Sequence, residues 1–222
     1  MKHLILSCLV LVSLNVLTAQ KLTEGTCALT AFTNIVSDDY YKSLDKIELY
    51  TYAEKFTFEK VKKRVKQILS DATFKEIQKV FKEKHGITIS KDQLEGKAFY
   101  DKMGYPNISF KKAAKKGKSN YYFSFRVFFS NKISLGGTLL NSKQIKPEIS
   151  ITMSVANSKG QKIYKKIKGK AKVEDAIKAK DMTGAGRVDF TNIDSADILT
   201  KPLIELMQKA VFDLADNFNP AQ

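Results

Sequence analysis

The hydrophobic and polar positions of this chain change period several times along its length, and each change predicts an element. Leu4 to Leu17 is an apolar run broken only by Ser7, Ser13 and Asn15, without the polar stripe of a helix on a globular core. Gln20 to Tyr41 is polar and small with no sustained period, which predicts a lead-in segment or loose cap over 20–45. Ile47 and Leu49 alternate with Glu48 and Tyr50, predicting a short strand through about Tyr52. Val61, Val65, Ile68 and Leu69 then fall on one helical face, and Lys60, Lys62, Lys63 and Lys66 fill its wet side. Thr73 and Glu76 have capping-box spacing, so a second helical piece carrying Phe74, Ile77 and Phe81 is expected to start there and end at Gly86. Ile87-Thr88-Ile89 reads as a short strand, and Leu94, Ala98 and Met103 as a helix before the turn at Gly104-Tyr105-Pro106. Ser109 precedes a lysine-rich helix, Phe110 to Lys116, stopped by Gly117.

The clearest strands follow. Tyr121, Phe123, Phe125, Val127 and Phe129 form an apolar face against a mixed one of Tyr122, Ser124, Arg126 and Phe128, and Ile149, Ile151, Met153 and Val155 alternate with Ser150, Thr152 and Ser154. Asn157-Ser158-Lys159-Gly160 is a turn, with glycine where a left-handed backbone is usual. The returning strand sets Ile163, Ile167 and Ala171 on one side and Lys162, Tyr164, Lys166 and Lys168 on the other. Val188 and Phe190 follow a glycine loop, and Leu203, Leu206, Met207, Ala210, Val211, Leu214 and Phe218 trace a final helix, with Pro202 in its first turn and Thr200 as its cap. This order predicts one α+β domain over 46–218, a mixed and mainly antiparallel sheet with helices packed on one face, followed by a short tail over 219–222.

The amino-terminal run changes where that domain is expected to work. Lys2 and His3, the apolar stretch and Thr18-Ala19 are the three parts of a secretory signal peptide cut near Ala19, and the stretch is shorter than the roughly 20 apolar residues a spanning helix needs. Ile5-Leu6-Ser7-Cys8 has the look of a lipobox, but too little chain precedes Cys8 for a charged and a full apolar region, so a lipid anchor is not the expectation. The expected destination is the periplasm or the cell exterior, with no transmembrane segment in the mature chain and Cys27 as its one cysteine, a small buried apolar residue.

Charge narrows the partners. The formal net charge is +15, and almost all of the 38 cationic side chains are lysine, since Arg64, Arg126 and Arg187 are the only arginines. Lysine is a hydrated point charge, whereas bidentate reading of phosphate or guanine favours arginine. The balance therefore points to diffuse attraction to anions, and nucleic acid is not the expected partner. Two lysine clusters, Lys111, Lys112, Lys115, Lys116 and Lys118 around the short helix and Lys159 through Lys172 along the returning strand, with Lys162, Lys166 and Lys168 foremost there, are candidate anion-binding sites, a basic face for anionic lipid, glycan or nucleic acid. Solvation, and protection of a strand edge against pairing, is the competing account of the same lysines.

The other constellations carry little chemistry. His85 and Cys27 do not make a zinc set, and no Gly-x-Ser-x-Gly surrounds a serine. Asp38-Asp39, Glu174-Asp175 and Asp189 with Asp194 are the carboxylates open to an alternative reading as a secreted hydrolase. Asp189 to Asp194 only partly fits a calcium loop, and Gly184-Ala185-Gly186-Arg187 lacks the rest of a phosphate loop. No catalytic residue, metal ligand or cofactor is assigned.

Three of these pieces, Tyr121-Tyr122-Phe123-Ser124-Phe125-Arg126-Val127, the hairpin from Ile149 to Ile163 and the closing helix from Leu199 to Phe218, resemble in order a group of periplasmic domains. These are the amino-terminal domain of the Tol system's β-propeller protein and the related lipoproteins of envelope assembly. The pattern covers residues 46–218. It implies a binding or scaffolding role, with an envelope protein or an anionic envelope component as partner, and it carries over no catalytic residue. The chain departs from the group in lacking propeller repeats and an adequate lipobox, which leaves partner and oligomeric state open.

Overall fold

In the computed structural model, which describes residues 22–44, 52–94, 96, 99–131, 144–178 and 195–220, the alternating segments become strands of one five-stranded sheet. Its strands are β1 (Cys27–Val36), β2 (Ile89–Ser90), β3 (Tyr121–Asn131), β5 (Pro147–Asn157) and β6 (Lys162–Lys172), in the order β2-β1-β3-β5-β6. β1 runs parallel to both neighbours, whereas β3, β5 and β6 are antiparallel. β4 (Gln144–Ile145) and β7 (Ile177–Lys178) pair separately. The helices are α1 (Asp38–Leu44), α2 (Tyr52–His85), α3 (Phe110–Lys116) and α4 (Ser195–Asp216). The fold is α+β. The stretch read as a signal peptide, with Cys8, the strand read over Ile47 to Tyr50, and the loop and acids from Gly184 to Asp194 lie outside the described residues.

One face of the sheet makes the main core. Phe123, Phe125, Val127 and Phe129 of β3 and Ile149, Ile151, Met153 and Val155 of β5 are buried there with Val61, Val65, Leu69, Ile77 and Phe81 of α2 and Leu203, Met207, Ala210 and Leu214 of α4. Each of these side chains larger than alanine contributes roughly 1.5–3 kcal/mol on burial, so the two long helices are held to this face by their apolar stripes. At the end of α2, Gly86 takes φ +67° while its N–H donates to Lys82 and that of Ile87 to Phe81. These paired bonds close the last turn, as glycine permits.

Several expectations are corrected. The stretch read as a lead-in contains β1, which sits inside the sheet between β2 and β3. A bulge between Leu29 and Ala31 shifts its register and breaks the period-2 signal. Thr73 caps nothing, because α2 runs through it as one helix and its buried hydroxyl donates to the Leu69 carbonyl at 2.6 Å. Around Leu94 and Met103 the described residues form no α-helix: Phe99 lies in a 3-10 turn whose N–H donates to the Gly96 carbonyl at 3.2 Å, and Ala98 lies outside the described residues. There Asp101 accepts the N–H groups of Met103 and Tyr105, and the backbone at Pro106 and Ile108 bonds to β1 at Phe32 and Thr30. Pro202 lies well inside α4, and Thr200 is buried and donates to Asp197 instead of capping. Tyr52, placed at the end of a strand, is the first residue of α2.

Candidate anion-binding sheet face

The residues between the core-facing positions of β3, β5 and β6 point to the other side of the sheet, and the register groups them into rows. One row runs Thr33, Arg126, Thr152, Lys168, and the next runs Ile35, Phe128, Ser150, Lys170. Beyond these lie Ser130, Glu148 and Lys172. Arg126, Lys168, Lys170 and Lys172 are exposed, and Phe128 keeps 38% of its surface in water. Residues two apart on a strand are about 7 Å from each other, and neighbouring strands about 4.8 Å. Arg126, Lys168 and Lys170 therefore share with Phe128 a patch roughly 10 Å across, the two lysines standing two strands away from the ring.

At the hairpin end α3 crosses this same side. Ala113 is buried with Ala28, Tyr122, Ala156 and Leu94 in a second apolar cluster against which Phe110 and Ala114 pack. The cap at Ser109 forms as the sequence predicts, accepting the Lys112 N–H at 3.4 Å, and the Gly117 N–H donates to Ala113 at 2.6 Å. The turn Asn157 to Gly160 also forms, and Gly160 has φ +73°. A side chain on Gly160 would meet the Phe110 carbonyl at 2.8 Å and the Lys111 Cα at 3.0 Å, so the turn is seated on the start of α3. The Lys162 ammonium lies 5.9 Å from the centre of the Phe110 ring.

The two lysine clusters, distant in sequence, thus meet on one side of the sheet. Lys111, Lys112, Lys115 and Lys116 are exposed on α3 at the rim, Lys162 joins them there, and Lys168 stands on the open face. Sequence reasoning missed Arg126 and Phe128, although their alternation with Phe125, Val127 and Phe129 was the available signal. Of the lysines expected from Lys159 through Lys172, the register puts Lys168, Lys170 and Lys172 together on the open face.

The returning strand departs from its predicted alternation. Met153 pairs with Ile167 but Val155 pairs with Tyr164 and Ala156 with Lys162, so β6 carries extra residues. Lys166 sits at φ +57°, and its N–H reaches the Ser154 hydroxyl at 3.4 Å. These bulges turn Tyr164 to the core, where its ring meets Phe218 edge-on at 5.1 Å and its hydroxyl donates to Pro220 at 2.8 Å, and leave Ile163 41% exposed. Lys166 lies at the bulge, out of step with the Lys168–Lys170–Lys172 ladder.

The outer edge of β6 is occupied by α4. The Lys170 N–H donates to the Asp213 carboxylate at 2.8 Å, and the Asn217 amide donates to the Lys168 carbonyl at 3.1 Å. Gly169 allows this approach, because a side chain there would lie against the Ala210 carbonyl and 2.5 Å from Leu214. Strand addition at this stretch of the edge is blocked, and Lys168 and Lys170 are held in register.

Other candidate groups have structural duties. Burial pushes the Cys27 thiol up to about 12, and its Sγ lies 3.7 Å from the Leu22 carbonyl. Nε2 of His85 is 3.0 Å from the Ala215 carbonyl, with its ring against Phe81 and Phe218. Asp38 and Asp39 open α1, where Asp38 pairs with Lys62 at 3.1 Å, while Glu174 and Asp175 are exposed. Among the described residues no cluster of three or more His, Cys, Asp or Glu side chains could hold a metal ion, and no helix is long and apolar enough to cross a membrane. Phe123 and Phe125 are buried in the main core and Tyr122 beneath α3, so these rings are packing groups. No protein-family model matches the chain, and no curated protein matches it in sequence.

Proposed function

We propose that the protein is an exported binding or scaffolding protein of the cell envelope that engages an anionic envelope component through the open face of its sheet. One observation carries this reading: β3 and β6 set Arg126, Lys168, Lys170 and Lys172 on one surface, rimmed by the lysines of α3, with Glu148 as the carboxylate among these rows. A surface of one sign concentrates counter-ions and speeds encounter with an oppositely charged partner. Serine and threonine between the cations supply hydroxyl donors and acceptors without adding charge. The signal peptide read at Met1 to Ala19 and the likeness to periplasmic scaffolding domains both support the envelope as the place of action.

The test is binding of the full chain to soluble inorganic polyphosphate across a salt series, with charge reversal at Arg126, Lys168 and Lys170. Affinity is expected to fall steeply between low and physiological salt and to drop in the reversed variant. Salt-independent binding, or a reversed variant equal to the parent, would overturn the proposal.

A further inference from the structure

The apolar ring among these cations points to a particular kind of anionic partner. Phe128 stands on the same side of β3 as Arg126, beside Ser150 and Lys170, and is 38% exposed. A soluble polyanion makes no use of such a ring, and leaving it in water forgoes burial of a large apolar surface. A lipid surface uses both features, because anionic headgroups attract the lysines while an aromatic ring settles at the boundary between headgroup and acyl chain. The ladder carries lysine at Lys168, Lys170 and Lys172. Lysine's long apolar stem lets its ammonium follow headgroups that shift laterally, which a partner of fixed geometry does not require.

We infer that the open face docks reversibly on an anionic bilayer, with Phe128 entering the interface and Arg126, Lys168 and Lys170 on the headgroup phosphates. This rests on the reading of the face as an anion-binding surface and names its partner. The face is one side of an open sheet, with its cations in rows on β3 and β6. The half-buried Ile35, in the row of Phe128, adds apolar surface on the β1 side. Docking by one aromatic ring and a few cations is reversible and weakens as salt rises.

The chain contains no tryptophan, so Phe128→Trp places a single fluorescent reporter at the centre of the face. The full chain, as its host produces it, is mixed with vesicles of phosphatidylcholine alone or with about a third phosphatidylglycerol, a composition that brings roughly 1 kcal/mol per cation near the surface. Blue-shifted emission and quenching by brominated acyl chains are expected with the anionic vesicles only, both reversed by added salt. Charge reversal at Lys168 and Lys170 in the same background should lower vesicle affinity at least about tenfold. An uncleaved apolar amino terminus would bind both vesicle types alike and would ignore those lysines, so the comparison separates it from the face.

Unshifted emission with anionic vesicles, or vesicle binding indifferent to the lysine reversal, overturns the inference. Retention on polyphosphate without vesicle binding removes the bilayer and leaves the anion-binding face standing. Loss of both removes the reading beneath it as well.

Discussion

Alanine at Gly169 probes how the lysine ladder is held, because this residue lies between Lys168 and Lys170 and faces α4. Its new Cβ would press on the Ala210 carbonyl and lie 2.5 Å from both the backbone nitrogen and the Cβ of Leu214. These are mostly backbone atoms, so no rotamer change relieves them; α4 must move outward by roughly 1 Å to restore ordinary contact, loosening Val211 and Leu214 in the core. Overpacking of this kind costs about 1–3 kcal/mol. The opposing gain is the about 0.5–1 kcal/mol by which alanine exceeds glycine in a strand interior, which applies because Gly169 is not among the glycines at positive φ. The net expectation is a loss of about 1–2 kcal/mol, or a urea midpoint lowered by roughly half to one molar at an ordinary slope. Equilibrium denaturation followed by circular dichroism measures it. The sign decides the matter: a Gly169→Ala midpoint equal to or above that of the parent would mean that no close approach of α4 exists.

Alkaline pH should unfold the protein. Burial raises Cys27 from 9.0 to about 12 and lifts Tyr40, Tyr41 and Tyr105 above 10.0, with Asp71 adding to the effect on Tyr105. The unfolded chain therefore releases these protons first, and stability that is complete below about pH 9 is lost as pH rises toward 12 and beyond; equal urea midpoints at about pH 8 and about pH 10.5 would contradict this. At neutral pH the same burial should keep Cys27 from alkylation until denaturant is added, read by peptide mapping. Tyr40→Phe removes the 2.6 Å hydrogen bond to the Leu199 carbonyl that ties α1 to α4, and should cost about 1–2 kcal/mol in the same denaturation assay. Asp213→Ala with Asn217→Ala uncovers the edge of β6; light scattering should show more self-association than the parent, and an unchanged mass would mean that the lysines alone protect the edge.

The elements legible in the sequence are those whose signal is local. The alternation in Tyr121 to Phe129 and Ile149 to Val155, the Asn157 to Gly160 turn, the Ser109 and Gly117 boundaries of α3 and the Gly86 stop of α2 each depend on neighbouring residues, and all are present in the fold. What misled was also local. Thr73 and Glu76 imitate a helix start inside a continuous helix, and Pro202 imitates one inside α4, because tertiary burial of the surrounding apolar stripe outweighs a single capping or proline preference.

By itself the sequence determined the α+β class, the periods of the main strands and helices, the excess of lysine over arginine and the scarcity of groups for metal or nucleophilic chemistry. Tertiary structure alone decided which cations share a surface. Register across β3, β5 and β6 put Arg126 in one row with Lys168, and Phe128 in one row with Lys170. The bulge at Lys166 displaced Tyr164 to the core, and the seat of Gly160 on Phe110 brought the α3 lysines to the same side. Pairing register and bulges are relations between strands far apart in the chain. A slip of one residue exchanges the faces of a strand, so no property of a single segment could have assigned them.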